Sequence, residues 1–244
     1  MSRSPEKDPE LPSLLEQIST HWPLISDPLQ FVLRYAPAVR RYLAALIKNP
    51  PDAEDVAQNF LLRMMQQPFR EGQVRSGRFR DYLKGALRHA ALTHFRRARP
   101  LHGISADLDQ LIAPQVESAA EAAWIAEWRQ CLLQRAWDAL EQHQRQAPAG
   151  QAFTVLRLAA AFPNEDSTAL AARVAAHTGQ PLRPDAFRKQ LSRARRHFAE
   201  FLVEAIRQTL QVPGPQEILQ ELSDLGILSY VRDFLPQGLR TPSR

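Results

Sequence analysis

Three sets of side chains in this sequence have the types and spacing for binding chemistry. The first is acidic. In "PPDAEDVAQNFLLRMM", residues 50–65, Asp52, Glu54 and Asp55 head an apolar segment and Gln58 follows one turn on. Asp52 is placed to cap a helix by accepting its free N–H groups, and carboxylates suit the positive end of the helix dipole. The same groups could instead face a basic partner, and spacing alone leaves both readings open. The second set is basic. Arg80, Lys84 and Arg88 recur every four residues, Arg96, Arg97 and Arg99 extend the row, and Tyr82, His89, His94 and Phe95 lie among them. Cations can hold a phosphate backbone while rings stack on unpaired bases, although a basic helix face is more often simply solvated. The third set lies at 183–196. At 100° per residue, Phe187, Leu191, Ala194 and Phe198 share one face, and Asp185, Lys189, Ser192, Arg193 and Arg196 lie opposite. Arg188 is on the flank and Arg183 just precedes. Such a face suits a helix that meets phosphates and base edges.

The elements that must position these groups are helical. Apolar residues recur at three-four spacing: Leu29, Val32, Leu33, Ala36, Val39 and Leu43 in one segment, Val56, Phe60 and Met64 in the next, and Phe79, Leu83, Leu87, Ala91 and Phe95 in a third. Pro37 marks an early turn or a helix start, and Pro100 stops the third helix. A long helix is expected over 120–146 with Trp124 and Trp128 as core residues, and "FTVLRLAAAF" is a further one, closed by Pro163. Ser167 reads as an N-cap for a helix running to His177, with a turn at Thr178-Gly179 and a restart at Pro184. Two helices joined by a short Gly-containing turn fit a helix-turn-helix. The fold class is therefore all-α: two helical domains, the second containing the helix-turn-helix, joined by a flexible linker. The boundaries are a disordered leader at 1–12, a helical domain at 13–100, a linker at 101–119, a second domain at 120–210 and a C-terminal extension at 211–244.

Composition narrows the class. The chain has 244 residues, 44% of them hydrophobic but only 8% aromatic, and a formal net charge of +5, which weakly favours a polyanionic partner. No run of 18 apolar residues and no apolar leader segment is present, so neither a membrane span nor a secretory signal is expected. A single cysteine, Cys131, cannot form an internal disulfide, and it reads as a small buried hydrophobe. The seven histidines lack metal-binding spacings, and no phosphate-binding or nucleophile-elbow motif occurs. No metal, no cofactor and no catalytic set is expected, which makes an enzyme the least favoured class.

Several segments, in order, resemble a known family. "DPLQFVLRYAPAVRRYLAALIKNPPDAEDVAQNFLLRMM" with "GRFRDYLKGALRHAALTHFRRAR" resembles the N-terminal conserved domain of bacterial sigma factors, with "DAEDVAQ" the most specific motif. "EWRQCLLQRAWDAL" and "FRKQLSRARRHFAEFL" resemble their C-terminal conserved domain. The two-domain layout is similar to the extracytoplasmic-function (ECF) group. The resemblance implies a cytoplasmic protein that binds core RNA polymerase and promoter DNA. It assigns Asp52, Glu54, Asp55 and Gln58 to docking on a coiled coil of the β′ subunit. It assigns Arg80, Lys84, Arg88, His89, Arg96 and Arg97 to the −10 element, and Arg183, Asp185, Arg188, Lys189, Ser192, Arg193 and Arg196 to the −35 element. An anti-sigma protein is a further candidate partner. Two rival readings are a stand-alone helix-turn-helix regulator and a sigma-like helical protein that binds polymerase without reading promoters.

Overall fold

The computed structural model describes residues 27–67, 78–98 and 112–240. The described residues are helical, and their β-structure is one isolated antiparallel bridge between Arg78 and Leu210. Nine α-helices run in the order α1 (Pro28–Leu46), α2 (Pro50–Gln66), α3 (Phe79–Ala98), α4 (Pro114–Gln146), α5 (Ala152–Ala161), α6 (Ser167–Thr178), α7 (Pro184–Arg207), α8 (Pro215–Asp224) and α9 (Leu228–Val231) among those residues.

Local chemistry explains the starts. Asp27 caps α1, its Oδ1 accepting the N–H groups of Leu29 at 3.0 Å and Gln30 at 3.2 Å. Pro28 follows at the first helical position, where its missing N–H costs nothing. Pro37 neither starts nor breaks this helix; it sits inside α1. Its ring faces solvent beside the exposed Leu33, so the carbonyl it leaves unpaired one turn back is not sealed in the core. In α2 the cap position belongs to Asn49, and Asp52 lies in the first turn instead of capping. Pro50 and Pro51 have backbone angles already suited to a helix, which carries its start upstream of Asp52. For α6 the cap is Asp166, whose Oδ1 accepts from Thr168 at 2.9 Å and Ala169 at 2.8 Å, so Ser167 becomes the first helical residue. Gly179 ends α6 at φ 70°, a left-handed conformation that favours glycine. Residues 180–183 then lead into α7 at Pro184.

Much of the expected linker, 101–119, lies outside the described residues; its end, from Pro114, is the first part of α4. The helix starts there because Pro114 supplies the first-turn geometry and Val116 and Ala120 continue the apolar face. The leader at 1–12 also lies outside the described residues.

The main core is one cluster that gathers α1, α2, α3, the first two-thirds of α4, the end of α7, α8 and α9. At its centre Tyr35 stacks on Trp128 with centroids 4.8 Å apart and planes 11° from parallel, and Phe79 lies 6.1 Å from the same indole. Trp124 packs 5.6 Å from Tyr42. Both tryptophans are fully buried, as their i, i+4 spacing on a long helix implies. Two smaller clusters continue the packing, one joining Val155, Leu170, Val174 and Phe187, the other Leu140, Ala152 and Ala194. The helices α4 and α7 run through more than one cluster. No helix among the described residues is long and apolar enough to cross a membrane.

Candidate functional site

The acidic rim of α2 is fixed by its neighbours. Buried Ala53 and Ala57 turn one face inward, and this leaves Asp55 and Gln58 exposed. Glu54 Oε1 accepts from Arg40 Nε on α1 at 3.1 Å and from Gln58 Nε2 at 3.1 Å. These hydrogen bonds, the one from Gln58 first and then that from Arg40, hold the Glu54 carboxyl below its usual range. Asp52 faces α3, with Oδ2 3.4 Å from His94 Nε2. The expected set therefore divides: Asp55 and Gln58 are open, Glu54 is braced and Asp52 lies against His94 of α3.

A groove of about 1070 Å³ runs between α2 and α3. Asp55, Asn59, Tyr82, His89, Thr93 and Arg97 are among its lining residues. One wall is thus acidic and amide-bearing; the other carries ring, hydroxyl and guanidinium groups. Such a groove can hold a polar chain and offers rings for stacking. His89, Arg96 and Arg97 are exposed, as expected of this helix.

The basic stripe of α3 differs from the expected open surface. Arg80 is buried, with a side chain only 7% exposed. Its Nη2 lies 3.4 Å from Glu221 and 3.7 Å from Asp224, both on α8. Arg78, next to it, is 3.0 Å from Glu221 and donates to Asp224. Lys84 Nζ donates to Glu121 at 2.7 Å, and Arg88 Nε to Glu117 at 2.8 Å, both on α4. The cause is local. Phe79, Leu83 and Leu87 face the core, the Phe79 N–H donates to the Thr209 carbonyl at 3.1 Å, and the chain after α7 is thereby laid along the start of α3.

Glu221 is the unusual member. It is 1% exposed, and neither carboxylate oxygen accepts a hydrogen bond among the described residues. Burial pushes its carboxyl above the usual range despite the opposing pull of Arg80 and Arg78. Asp224 moves the other way: burial raises its proton affinity, but hydrogen bonds from Arg78 and Gln220 outweigh that and hold it low.

The third set stands as expected from its periodicity. On α7, Phe187 and Ala194 are buried, while Arg183, Asp185, Arg188, Lys189, Arg193 and Arg196 are exposed and Ser192 is half-buried. Arg188 Nη1 donates to Ser167 at 2.9 Å and its Nη2 to Asp185, which fixes the start of α7 against α6. The face can meet a polyanion without rearrangement.

Sequence reasoning missed Glu117, Glu121, Glu221 and Asp224 as partners of α3. One signal was there: Glu117 and Glu121 have the same four-residue spacing as Lys84 and Arg88, so two helix faces can match in register. Cys131 is half-buried, its Sγ donating to the Arg34 carbonyl at 3.1 Å, and burial raises its pKa to about 11, which suits an inert packing thiol.

No curated protein and no solved structure matches the chain. A family model does match. Residues 31–100 fit Sigma-70 region 2, a span that holds nearly all of α1, the whole of α2 and α3, the acidic rim and the groove between them.

Proposed function

We propose that the protein is an ECF-type sigma factor that binds core RNA polymerase and directs promoter recognition. The observation that carries this is the coincidence of the Sigma-70 region 2 match with a helix trio that presents Asp55 and Gln58 openly beside a ring-lined groove. In this reading Asp55 and Gln58 meet the β′ coiled coil, Glu54 is held in place by Arg40, and Asp52 lies against His94 of α3. A charged rim of this kind sets encounter rate and partner choice more than raw affinity. The groove face of α3, with His89 and Arg97, takes the −10 element together with the exposed Arg96. The helix pair α6–α7 acts as a helix-turn-helix on the −35 element through Lys189, Arg193 and Arg196. Residues 13–100 and 120–210 are then two functional modules. Joining two weak readers on one polymerase raises the effective concentration of the second, so neither needs tight binding alone. The protein catalyses no covalent step.

One observation favours a second reading, a sigma-like protein that binds polymerase without reading promoters: Arg80, Lys84 and Arg88 are each paired with a carboxylate from outside the matched region. One experiment addresses both. Purified protein is mixed with bacterial core RNA polymerase and run on size exclusion beside an Asp55→Arg, Gln58→Ala variant. Wild type should co-elute and the variant should not. Failure of a folded wild type to bind a cognate polymerase would remove the sigma reading. Addition of promoter DNA to the assembled complex, with melting followed by permanganate reactivity, then separates a promoter reader from a polymerase binder.

A further inference from the structure

We propose that α8 is an autoinhibitory latch: its carboxylates occupy the start of α3, where Arg78 and Arg80 would otherwise meet the nucleic-acid backbone. The proposal rests on the reading of α3 as the −10 helix. It starts from an asymmetry between the two basic faces. Those of α7 stand in solvent, whereas the cations at the start of α3 are held by Glu221 and Asp224. A carboxylate pair against two guanidiniums has the charge arrangement that a phosphate backbone would offer.

Three features make α8 the movable partner. It is short, ten residues, and is held to the core by two fully buried apolar side chains, Ile218 and Leu222. By contrast, α4, which carries Glu117 and Glu121, is locked through Trp124 and Trp128 and can release Lys84 and Arg88 only by side-chain rotation. Finally, the closed arrangement carries a cost, because the buried Glu221 oxygens accept no hydrogen bond among the described residues. Such a contact is a poor choice for stability alone and a reasonable one for a contact that must open.

The test uses the full chain and a fluorescein-labelled single-stranded DNA oligonucleotide, read by anisotropy, with hydrogen exchange at residues 215–224 as a second readout. Asp224→Lys sets a like charge against Arg78 and Arg80 at a partly exposed position, and Asp233→Lys, outside α8, controls for the added charge. The expected result is that Asp224→Lys binds about tenfold more tightly than Asp233→Lys. That gain should vanish when Arg80→Ala is added. Saturating DNA should also speed exchange of α8 in the wild type. Equal affinity of the two Lys variants, with α8 exchange in the wild type unmoved by bound DNA, would overturn the latch and leave the nucleic-acid reading of α3 standing. Absence of binding by Asp224→Lys, with α8 exchanging freely and the rest of the fold protected, would overturn both.

Discussion

Glu221 places one buried carboxylate between Arg78 and Arg80, with Asp81 and Asp224 adding negative charge nearby. Burial is the largest influence and raises its proton affinity above the ordinary 4.5. The sign of the stability effect follows. Between 4.5 and the raised value, the folded chain holds a proton that the unfolded chain has released. This group therefore adds stability as pH falls into that window and adds least above it. A comparison of wild type with Glu221→Gln isolates it, because the other carboxylates cancel. In urea unfolding, wild type should gain on the variant as pH drops from 7 towards 5. A constant difference would show that Glu221 titrates normally. None of this was legible in the sequence, where Glu221 reads as one acid of an amphipathic tail helix. Its burial comes from Leu210 and Thr209 being drawn to Arg78 and Phe79, contacts between residues more than a hundred positions apart.

At the scale of elements, periodicity served well and caps did less well. Helices α2, α3, α5, α6 and α7 lie where three-four spacing puts them, because the apolar face alone determines where each must pack. The differences at Pro37, Asp52 and Ser167 share one origin: backbone chemistry at the ends and at Pro37 is a competition among neighbours, which a pattern of apolar residues does not settle. Asp166 and Ser167 both favour capping, and the structure gives the role to Asp166 with two short hydrogen bonds. Replacement of Asp166 by Ala should therefore cost about 1 kcal/mol. Ser167→Ala should cost less, within ~0.5 kcal/mol, since Ser167 Oγ only receives Arg188 at an exposed position. Thermal unfolding of the two variants measures the order, and a larger loss at Ser167 would return the cap to the residue that the sequence suggested.

For the whole molecule, the exposed faces of the candidate site were largely readable and their covering was not. Asp55, Gln58, Lys189, Arg193 and Arg196 could be placed on outer faces by helical geometry alone. That Arg80 points into a contact with α8 depends on how distant helices pack, which no local pattern encodes. The same packing governs how the molecule unfolds. The segments expected to form two domains contribute to one core: Tyr35 of α1 and Phe79 of α3 lie against Trp128 of α4, and Leu202, Val203 and Ile206 of α7 join the same cluster. The remaining clusters connect to it through α4 and α7, with Phe198 and Phe201 touching two of them. Helices that cross cluster boundaries transmit loss of structure from one cluster to the next. Urea unfolding of a Trp22→Phe variant, whose remaining indoles all lie on α4, should therefore be a single transition, with tryptophan fluorescence and far-UV circular dichroism, which reports all helices, sharing one midpoint. Two separated midpoints would mean that α5, α6 and the first half of α7 unfold apart from the main core, as expected of modules joined only by a linker.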